Sequence, residues 1–294
     1  MLIRSIGTDN HDAPHTGAMR FGKDGMSQPE LDLAYEEAVS APYGEKTVAA
    51  GAISNVDSDV FEALFGSGNE VTVALEISNN DLGEITSYNI IGEMTGSERP
   101  HEVVITGGHI DAWETGVGAM DDGMGVAITM NAVASIGALP RRPARTLRFV
   151  AFGAEELGLL GAKAYAEEYS DVDHVFGIES DFGIGKVWQM SPAVSADAVP
   201  VLGEIAILLE PMGIAWNPEA RGFPGPDLRP LVTGAGLAGA ALNGDGTFYF
   251  DLHHTAEDTL DKIKAPDLDY NTAAYAALLY LVAEYEGRFD TKGS

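Results

Sequence analysis

The sequence predicts an α/β fold, a three-layer α/β/α sandwich around a mixed, mostly parallel sheet. Between residues 103 and 169, short apolar runs alternate with helical stretches rich in small apolar residues. Several of these runs end abruptly in His, Asp or Glu, which is how an α/β protein places polar groups at the carboxyl ends of its strands. The chain has 294 residues, 45% of them hydrophobic, so it is long enough to form a substantial core.

The first part of the chain is predicted to form a separate small domain. The elements expected there are a strand ending at Leu2 and Ile3, a helix over residues 30–39, a strand over residues 49–53, and a helix over residues 57–65 capped by Ser54 or Asn55. The Gly-Ser-Gly-Asn turn at residues 66–69 then marks a boundary. The predicted domains are therefore residues 1–70 and 71–294.

The sequence of the second domain predicts alternating strands and helices. A β-hairpin is expected over residues 71–94, because apolar residues alternate with smaller or polar ones from Val71 to Ile77. The strands predicted after it cover residues 103–106, 146–152, 175–178 and 237–242, and the helices cover residues 122–139, 155–169, 199–212 and 268–285. Residues 221–230, rich in Gly and Pro, and the polar residues 248–259 are predicted as loops.

Composition excludes several functions. The formal net charge is -28, from 45 acidic and 17 basic residues, and it repels phosphate backbones and anionic membranes, so neither a nucleic acid nor a membrane is expected as a partner. No apolar run reaches the roughly 18 residues that a membrane span needs, and the first residues do not read as a signal peptide. Because the chain has no cysteine, any metal must be held by imidazole and carboxylate groups.

Two short motifs carry candidate metal ligands. His109 follows the strand at residues 103–106, and Asp111 is close enough either to accept a hydrogen bond from the second ring nitrogen of His109 or to brace the loop. Asp121 and Asp122 open the next predicted helix. One of the two is explained as a helix N-cap, and a second carboxylate held there could bridge two metal ions.

Further candidates follow the later strands. Glu155 and Glu156 come after the strand at residues 146–152, and one of them could bind a metal while the other serves as a base. Asp181 ends the next strand, and His254 is the second of a His-His pair in the polar loop. Nitrogen and oxygen ligands gathered at strand ends suit Zn²⁺ with one or two open coordination positions.

The ordered set of these motifs resembles the co-catalytic zinc exopeptidases, which include bacterial aminopeptidases and glutamate carboxypeptidases. The segments GAMDDGMG, RTLRFVAFGAEELGLLGA, IESD and FDLHHTAEDT look most similar to the plasma glutamate carboxypeptidase (carboxypeptidase Q) branch. The opening LIRSIGTDNHDAPHTG is similar to the protease-associated (apical) insert domain of that branch. The resemblance covers nearly the whole chain, and it implies the zinc exopeptidase fold with a partial protease-associated segment at residues 1–70.

The resemblance also implies two Zn²⁺ ions per chain. In this family pattern His109 and Asp181 bind one ion, Glu156 and His254 bind the other, and Asp121 bridges the two. The expected reaction is hydrolysis of dipeptides or short peptides by an exopeptidase.

The remaining roles are also carried over from the family. Glu155 would be the general base and Asp111 would orient His109, while Asp122 would follow Asp121 through a cis peptide bond. The loops at residues 221–230 and 244–250 are expected to line the specificity pocket. The candidate substrate-binding residues in these two loops are Arg221, Asp227 and Tyr249.

Two other functions on the same scaffold stay open, acyl transfer of the glutaminyl cyclase type on one zinc ion and a non-catalytic binding module. Family members begin with a secretion signal, a helical segment and the first half of the insert domain, so we expect a truncated or divergent form of a secreted or periplasmic enzyme. Four arginines between residues 141 and 148 are interpreted as partners of local acids or as a contact of a possible homodimer.

Overall fold

A computed structural model describes residues 2–8, 12–17, 50–78 and 83–289. The chain divides into two compact units, Met1–Ile85 and Thr86–Ser294. The boundary expected after residue 70 therefore lies inside the first unit. The assignment of residues 1–70 to a partial protease-associated domain stays a prediction, and the helix expected at residues 30–39 lies outside the described residues.

Within its described residues, the first unit contains a small parallel sheet and one helix. Strand β1 (Leu2–Arg4) pairs with strand β2 (Gly51–Ile53). Helix α1 (Asn55–Gly66) follows Ser54, whose side chain accepts a hydrogen bond from the Asp57 main-chain N–H. This is the N-cap that the sequence predicts, because a serine oxygen satisfies a first-turn N–H that has no partner within the helix.

The hairpin predicted over residues 71–94 is wrong. Residues 71–78 and 83–89 contain no strand, and only β3 (Ile90–Met94) forms. Strand β3 pairs antiparallel with β5 (Arg145–Phe152). Alternation of apolar residues indicates a strand with one buried face but does not identify the partner that supplies the hydrogen bonds.

The second unit is built on a seven-stranded sheet. Its other strands are β4 (Arg99–His109), β6 (Asp173–Glu179), β7 (Gln189–Ala193), β8 (Ala215–Trp216) and β9 (Gly239–Asn243). The strand order is β3-β5-β4-β6-β9-β7-β8. Strands β5, β4, β6 and β9 run parallel, and the other three run in the opposite direction. The prediction of a mixed, mostly parallel sheet is confirmed.

Helices cover both faces of this sheet. They are α2 (Met124–Gly137), α3 (Leu160–Glu168), α4 (Val199–Ile207), α5 (Arg229–Ala235), α6 (Tyr249–Leu252) and α7 (Ala265–Glu284). Val104 of β4 packs in one core with residues of α2, α4 and α7, whereas Ile105 packs in a second core with residues of α3 and α5. Because successive side chains of a strand point to opposite faces, the two cores define three layers.

Several predicted element boundaries need correction. Helix α3 begins at Leu160 rather than residue 155, and α4 ends at Ile207 rather than residue 212. Helix α5 begins at the end of the loop predicted over residues 221–230, with a proline in its first turn, a position that proline tolerates because no N–H is needed there. No helix in the described part of the chain is long and apolar enough to cross a membrane.

The arginines between residues 141 and 148 pair with local acids. Arg141 contacts Glu284 at 2.8 Å, and Arg148 contacts Glu93 at 2.6 Å. Arg145 is 1% exposed; it contacts Glu102 at 2.5 Å and donates to main-chain oxygens at and just after the end of α7. Of the two interpretations of this cluster, local pairing therefore describes three of its four members, and the homodimer stays a prediction.

Candidate metal centre

The carboxyl ends of β4 and β6 bring one histidine and two carboxylates together. His109 is the last residue of β4 and is 1% exposed, and Asp181 lies two residues beyond the end of β6. His109 Nε2 lies 3.1 Å from Asp121 Oδ1 and 3.5 Å from Asp181 Oδ1. These three side chains offer one nitrogen and two oxygen donors within bonding distance of a single cation.

A second cluster forms around the other oxygen of Asp121. His254 Nε2 lies 3.2 Å from Asp121 Oδ2 and 3.0 Å from Glu156 Oε2. Asp121 therefore faces His109 with one oxygen and His254 with the other. This is the arrangement that a carboxylate bridging two ions requires.

Two buried oxygen atoms of this site make no hydrogen bond to the described residues. They are Asp121 Oδ2, which contacts His254 outside hydrogen-bond geometry, and Glu156 Oε1. A buried carboxylate oxygen without a donor is costly unless a cation accepts its lone pair. The donor set therefore fits a metal, and imidazole nitrogen with carboxylate oxygen suits zinc.

The turn that carries Asp121 is held by Asp258. The Met120 and Asp121 main-chain N–H groups donate to Asp258 Oδ1 and Oδ2 at 2.6 and 3.2 Å. The peptide bond between Asp121 and Asp122 is cis, as the family resemblance implies. Asp258 was not among the predicted site residues; its place three residues after Thr255 gives no sign of the contact, which only the folded loops create.

Asp122 joins β4 to the start of α2. Its Oδ2 accepts from the His109 main-chain N–H and its Oδ1 from that of Gly125, both at 3.1 Å. A side chain at Gly125 would overlap both this carboxylate and the main-chain oxygen of Ser180. Asp122 thus fixes the position of the His109 backbone.

Asp111 braces the loop of the two glutamates. Its carboxylate accepts from the main-chain N–H groups of Glu155 and Glu156, at 2.9 and 3.2 Å. His109 Nδ1 lies 2.9 Å from the Asp111 main-chain oxygen, but 3.7 Å from the carboxylate. Asp111 therefore orients His109 through its backbone, and its side chain supports the neighbouring loop.

Glu155 and Glu156 lie in a turn between β5 and α3 rather than in the first helical turn. Two residues of this turn, Ala154 and Leu159, have positive φ angles of 57° and 61°. The Glu155 carboxylate makes no hydrogen bond to the described residues, and burial raises the pKa of this carboxyl to about 8. Glu156 Oε2 accepts from Trp113 Nε1 at 2.6 Å, a contact that the sequence did not suggest.

Burial and the neighbouring carboxylates shift the pKa values of the residues in this cluster. Burial raises the pKa of Asp122 well above its ordinary value, and the charge of Asp181 adds to the effect. Burial lowers the pKa of His109 and His254, but the adjacent carboxylates outweigh it, raising the pKa of His254 to about 9 and that of His109 still further. The same carboxylates that favour protonated imidazoles would also favour bound cations, because both compensate their negative charge.

His253 is the neighbour of the predicted ligand His254. The two rings stack at a centroid distance of 3.7 Å, and His253 Nε2 lies 3.5 Å from Asp121 Oδ2. The Glu156 carboxylate, however, contacts His254. His254 therefore remains the better candidate ligand, and His253 supports it.

The three candidate substrate-binding residues occupy different positions. Arg221 lines a cavity of about 420 Å³ that Asp181 also lines. Asp227 does not line this cavity; it is 1% exposed, and its main-chain N–H donates to Glu179 Oε2 at 3.0 Å. Tyr249 is buried, and its hydroxyl donates to the Asp181 main-chain oxygen at 3.4 Å.

A three-layer α/β sandwich with histidine and carboxylate ligands at its strand ends is an arrangement of metal-dependent hydrolases. The sequence profile of Peptidase family M28 matches residues 89–279. The chain belongs to peptidase family M28. The predicted family and the predicted zinc exopeptidase fold are thereby confirmed.

Three relatives show the extent of the similarity. Carboxypeptidase Q from Bos taurus is 30% identical over 287 residues, which are 97% of this chain and 56% of the relative. The crystal structure of a peptidase M28 precursor from Shewanella amazonensis has a TM-score of 0.83 at 40% identity and covers 98% of this chain and 61% of its own. An aminopeptidase from Aneurinibacillus sp. strain AM-1 has a TM-score of 0.58 at 25% identity, with coverages of 83% and 60%. The chain spans about half the length of the curated relatives that it matches.

Proposed function

We propose that this chain is a zinc-dependent exopeptidase that hydrolyses dipeptides or short peptides. Membership of peptidase family M28 supports the reaction class. The observation that carries the proposal is that Asp121 is shared by two ligand clusters beside Glu155, whose carboxylate makes no hydrogen bond to the described residues. A free carboxylate next to two cation sites is the arrangement that metal-assisted hydrolysis requires.

Five residues would hold the metal. His109 and Asp181 would bind one zinc ion, Glu156 and His254 a second, and Asp121 both. When bound, the zinc ions polarise the scissile carbonyl group and lower the pKa of water. The two buried oxygens without hydrogen bonds support this assignment.

Glu155 moves the proton. Its carboxylate takes a proton from the water that attacks the scissile carbonyl carbon and delivers that proton to the nitrogen of the leaving amine. Burial raises the pKa of this carboxyl to about 8. Bound cations would lower that pKa, so the carboxyl could both accept and release a proton near neutral pH. The hydrogen bond from the Glu155 main-chain N–H to Asp111 positions the residue.

The test compares Glu155→Gln with wild type and with Glu168→Gln, a control at an exposed position of α3. Bound zinc is measured by elemental analysis, and turnover is measured with free, amino-blocked and carboxyl-blocked dipeptides. We expect two zinc ions per chain in all three proteins. Turnover should fall about 10²- to 10⁴-fold only in Glu155→Gln.

Other results would change the proposal. Undiminished hydrolysis by Glu155→Gln would remove this residue from the role of base. A single zinc ion with cyclisation of N-terminal glutamine would favour the cyclase alternative. Bound zinc without turnover of any dipeptide would favour the non-catalytic binding module.

A further inference from the structure

The cavity beside Asp181 has a polar wall of its own. Its volume of about 420 Å³ lies in the range of small-molecule sites. The loop around Arg221 closes over it, because the Gly222 main-chain N–H donates to the Pro192 main-chain oxygen in β7 at 2.7 Å. Since Asp181 belongs to the candidate metal cluster, a substrate group in this cavity lies next to the reacting bond.

The polar wall comes from the antiparallel strands β7 and β9. Gln189 lies directly opposite Asn243 in the register, and Ser191 follows two residues later on the same face. All three residues line the cavity, while Met190 between them is fully buried in the core. The wall is therefore a consequence of strand alternation at the end of the sheet.

Hydrogen bonds join these side chains, but two of their polar groups have no partner among the described residues. Asn243 Nδ2 donates to Gln189 Oε1 at 3.3 Å and to Ser191 Oγ at 3.1 Å. Gln189 Nε2 and Asn243 Oδ1 make no hydrogen bond to the described residues. Two amides joined by one hydrogen bond always leave one amino group and one carbonyl oxygen, whichever amide is the donor.

We propose that this wall, formed by Gln189, Ser191 and Asn243, selects substrates whose side chain is a primary amide, glutamine or asparagine. The inference rests on the proposed peptidase function and names the substrate class of the same site. A primary amide accepts from the free amino group and donates to the free carbonyl oxygen at once. Its own two polar groups are then satisfied in return.

Other side chains satisfy the wall only in part. A carboxylate accepts from Gln189 but cannot donate to Asn243, whose carbonyl oxygen then stays without a donor. A lysine ammonium can only donate, and a methionine side chain does neither. A site built to hydrogen-bond a substrate group discriminates against the analogue that lacks it, because its own polar groups are left unpaired.

Binding to the zinc-loaded Glu155→Gln chain tests the proposal separately from turnover. The ligands are Gln-Ala, Met-Ala, Glu-Ala and Lys-Ala, together with the reversed set from Ala-Gln to Ala-Lys, measured by calorimetry. In at least one set we expect the glutamine peptide to bind about 10- to 100-fold more tightly than its methionine, glutamate and lysine counterparts. Equal or weaker binding of the glutamine peptide in both sets would overturn the inference.

Two substitutions locate the preference. Asn243→Leu combined with Gln189→Met keeps the side-chain volumes and removes the free polar groups, so the glutamine preference should disappear or reverse. The control Asn131→Leu, at an exposed position of α2, should keep it. Folding of each variant is checked by zinc content and thermal unfolding. If the double variant does not fold, the peptide binding comparison on the chain with Gln189 and Asn243 unchanged still tests the preference. A glutamine preference that survives in a folded double variant would contradict the assignment to this wall.

The two proposals fail in different ways. A glutamine preference in binding with no turnover of any dipeptide by the wild-type chain refutes the peptidase function and retains the specificity. Turnover with a preference for methionine or another apolar side chain retains the peptidase function and refutes the amide pocket. A preference for glutamate that Arg221→Ala abolishes would assign the selection to Arg221 and also refute it.

Discussion

Trp113→Phe removes one hydrogen bond from the proposed zinc ligand Glu156 and keeps an aromatic ring in place. The bond from Trp113 Nε1 to Glu156 Oε2 measures 2.6 Å, and the indole also meets the His254 ring edge-on at a centroid distance of 6.1 Å. A hydrogen bond to a charged group contributes about 1.5–3 kcal/mol. Because this hydrogen bond holds the Glu156 carboxylate in position, its loss should weaken zinc binding about 10- to 100-fold.

Zinc affinity is the measurement, taken by titration against a competing chromophoric chelator. The control is Trp188→Phe, which also loses an indole hydrogen bond, to the Gly244 main-chain oxygen at 3.2 Å, but touches no proposed ligand. We expect weaker zinc binding in Trp113→Phe alone, with the loss confined to one of two ions. Equal zinc affinity in the two variants would refute the role of the indole N–H in positioning Glu156.

Three further outcomes follow from the same geometry. Gly125→Ala should lower the free energy of unfolding by several kcal/mol in thermal denaturation, because its Cβ overlaps a neighbouring main-chain oxygen, whereas Gly234→Ala, with open space around it, should change it by less than about 1 kcal/mol. Asp258→Ala should cost about 1–3 kcal/mol for each buried N–H left without its acceptor, and Asp261→Ala at the exposed surface should cost little in the same assay. The carboxylates raise the pKa of His254 to about 9 despite burial, so protons compete with zinc below that pH and the apparent zinc affinity measured by chelator titration should rise as the pH is raised towards 9.

The parallel central part of the sheet could be predicted from the sequence, and so could the position of the proposed ligands at one edge of it. His109 and Asp181 could be placed because each follows a continuous apolar run, the pattern of a strand buried on both faces. The proximity of His109 and Asp181 then follows from the parallel direction of β4 and β6, since the carboxyl ends of both strands lie on the same edge of the sheet. The finer division of roles among the acids came from the family resemblance.

The contacts that position the proposed ligands could not be predicted in the same way. Trp113 and Asp258 reach Glu156 and Asp121 across 43 and 137 residues of chain, and no local period links residues so far apart. The short strands β7 and β8 were missed because five and two residues are too few to show an alternation. The cavity wall therefore had no sign in the sequence, since it depends on the register of β7 with β9.

The double use of Asp111 has a consequence for how this site tolerates change. Its main-chain oxygen orients the imidazole of His109, and its carboxylate holds the backbone of Glu155 and Glu156. The positions of the proposed base, Glu155, and of one proposed ligand, His109, thus depend on a single residue. A shift of this loop would therefore disturb the proposed proton transfer and the proposed metal binding at the same time.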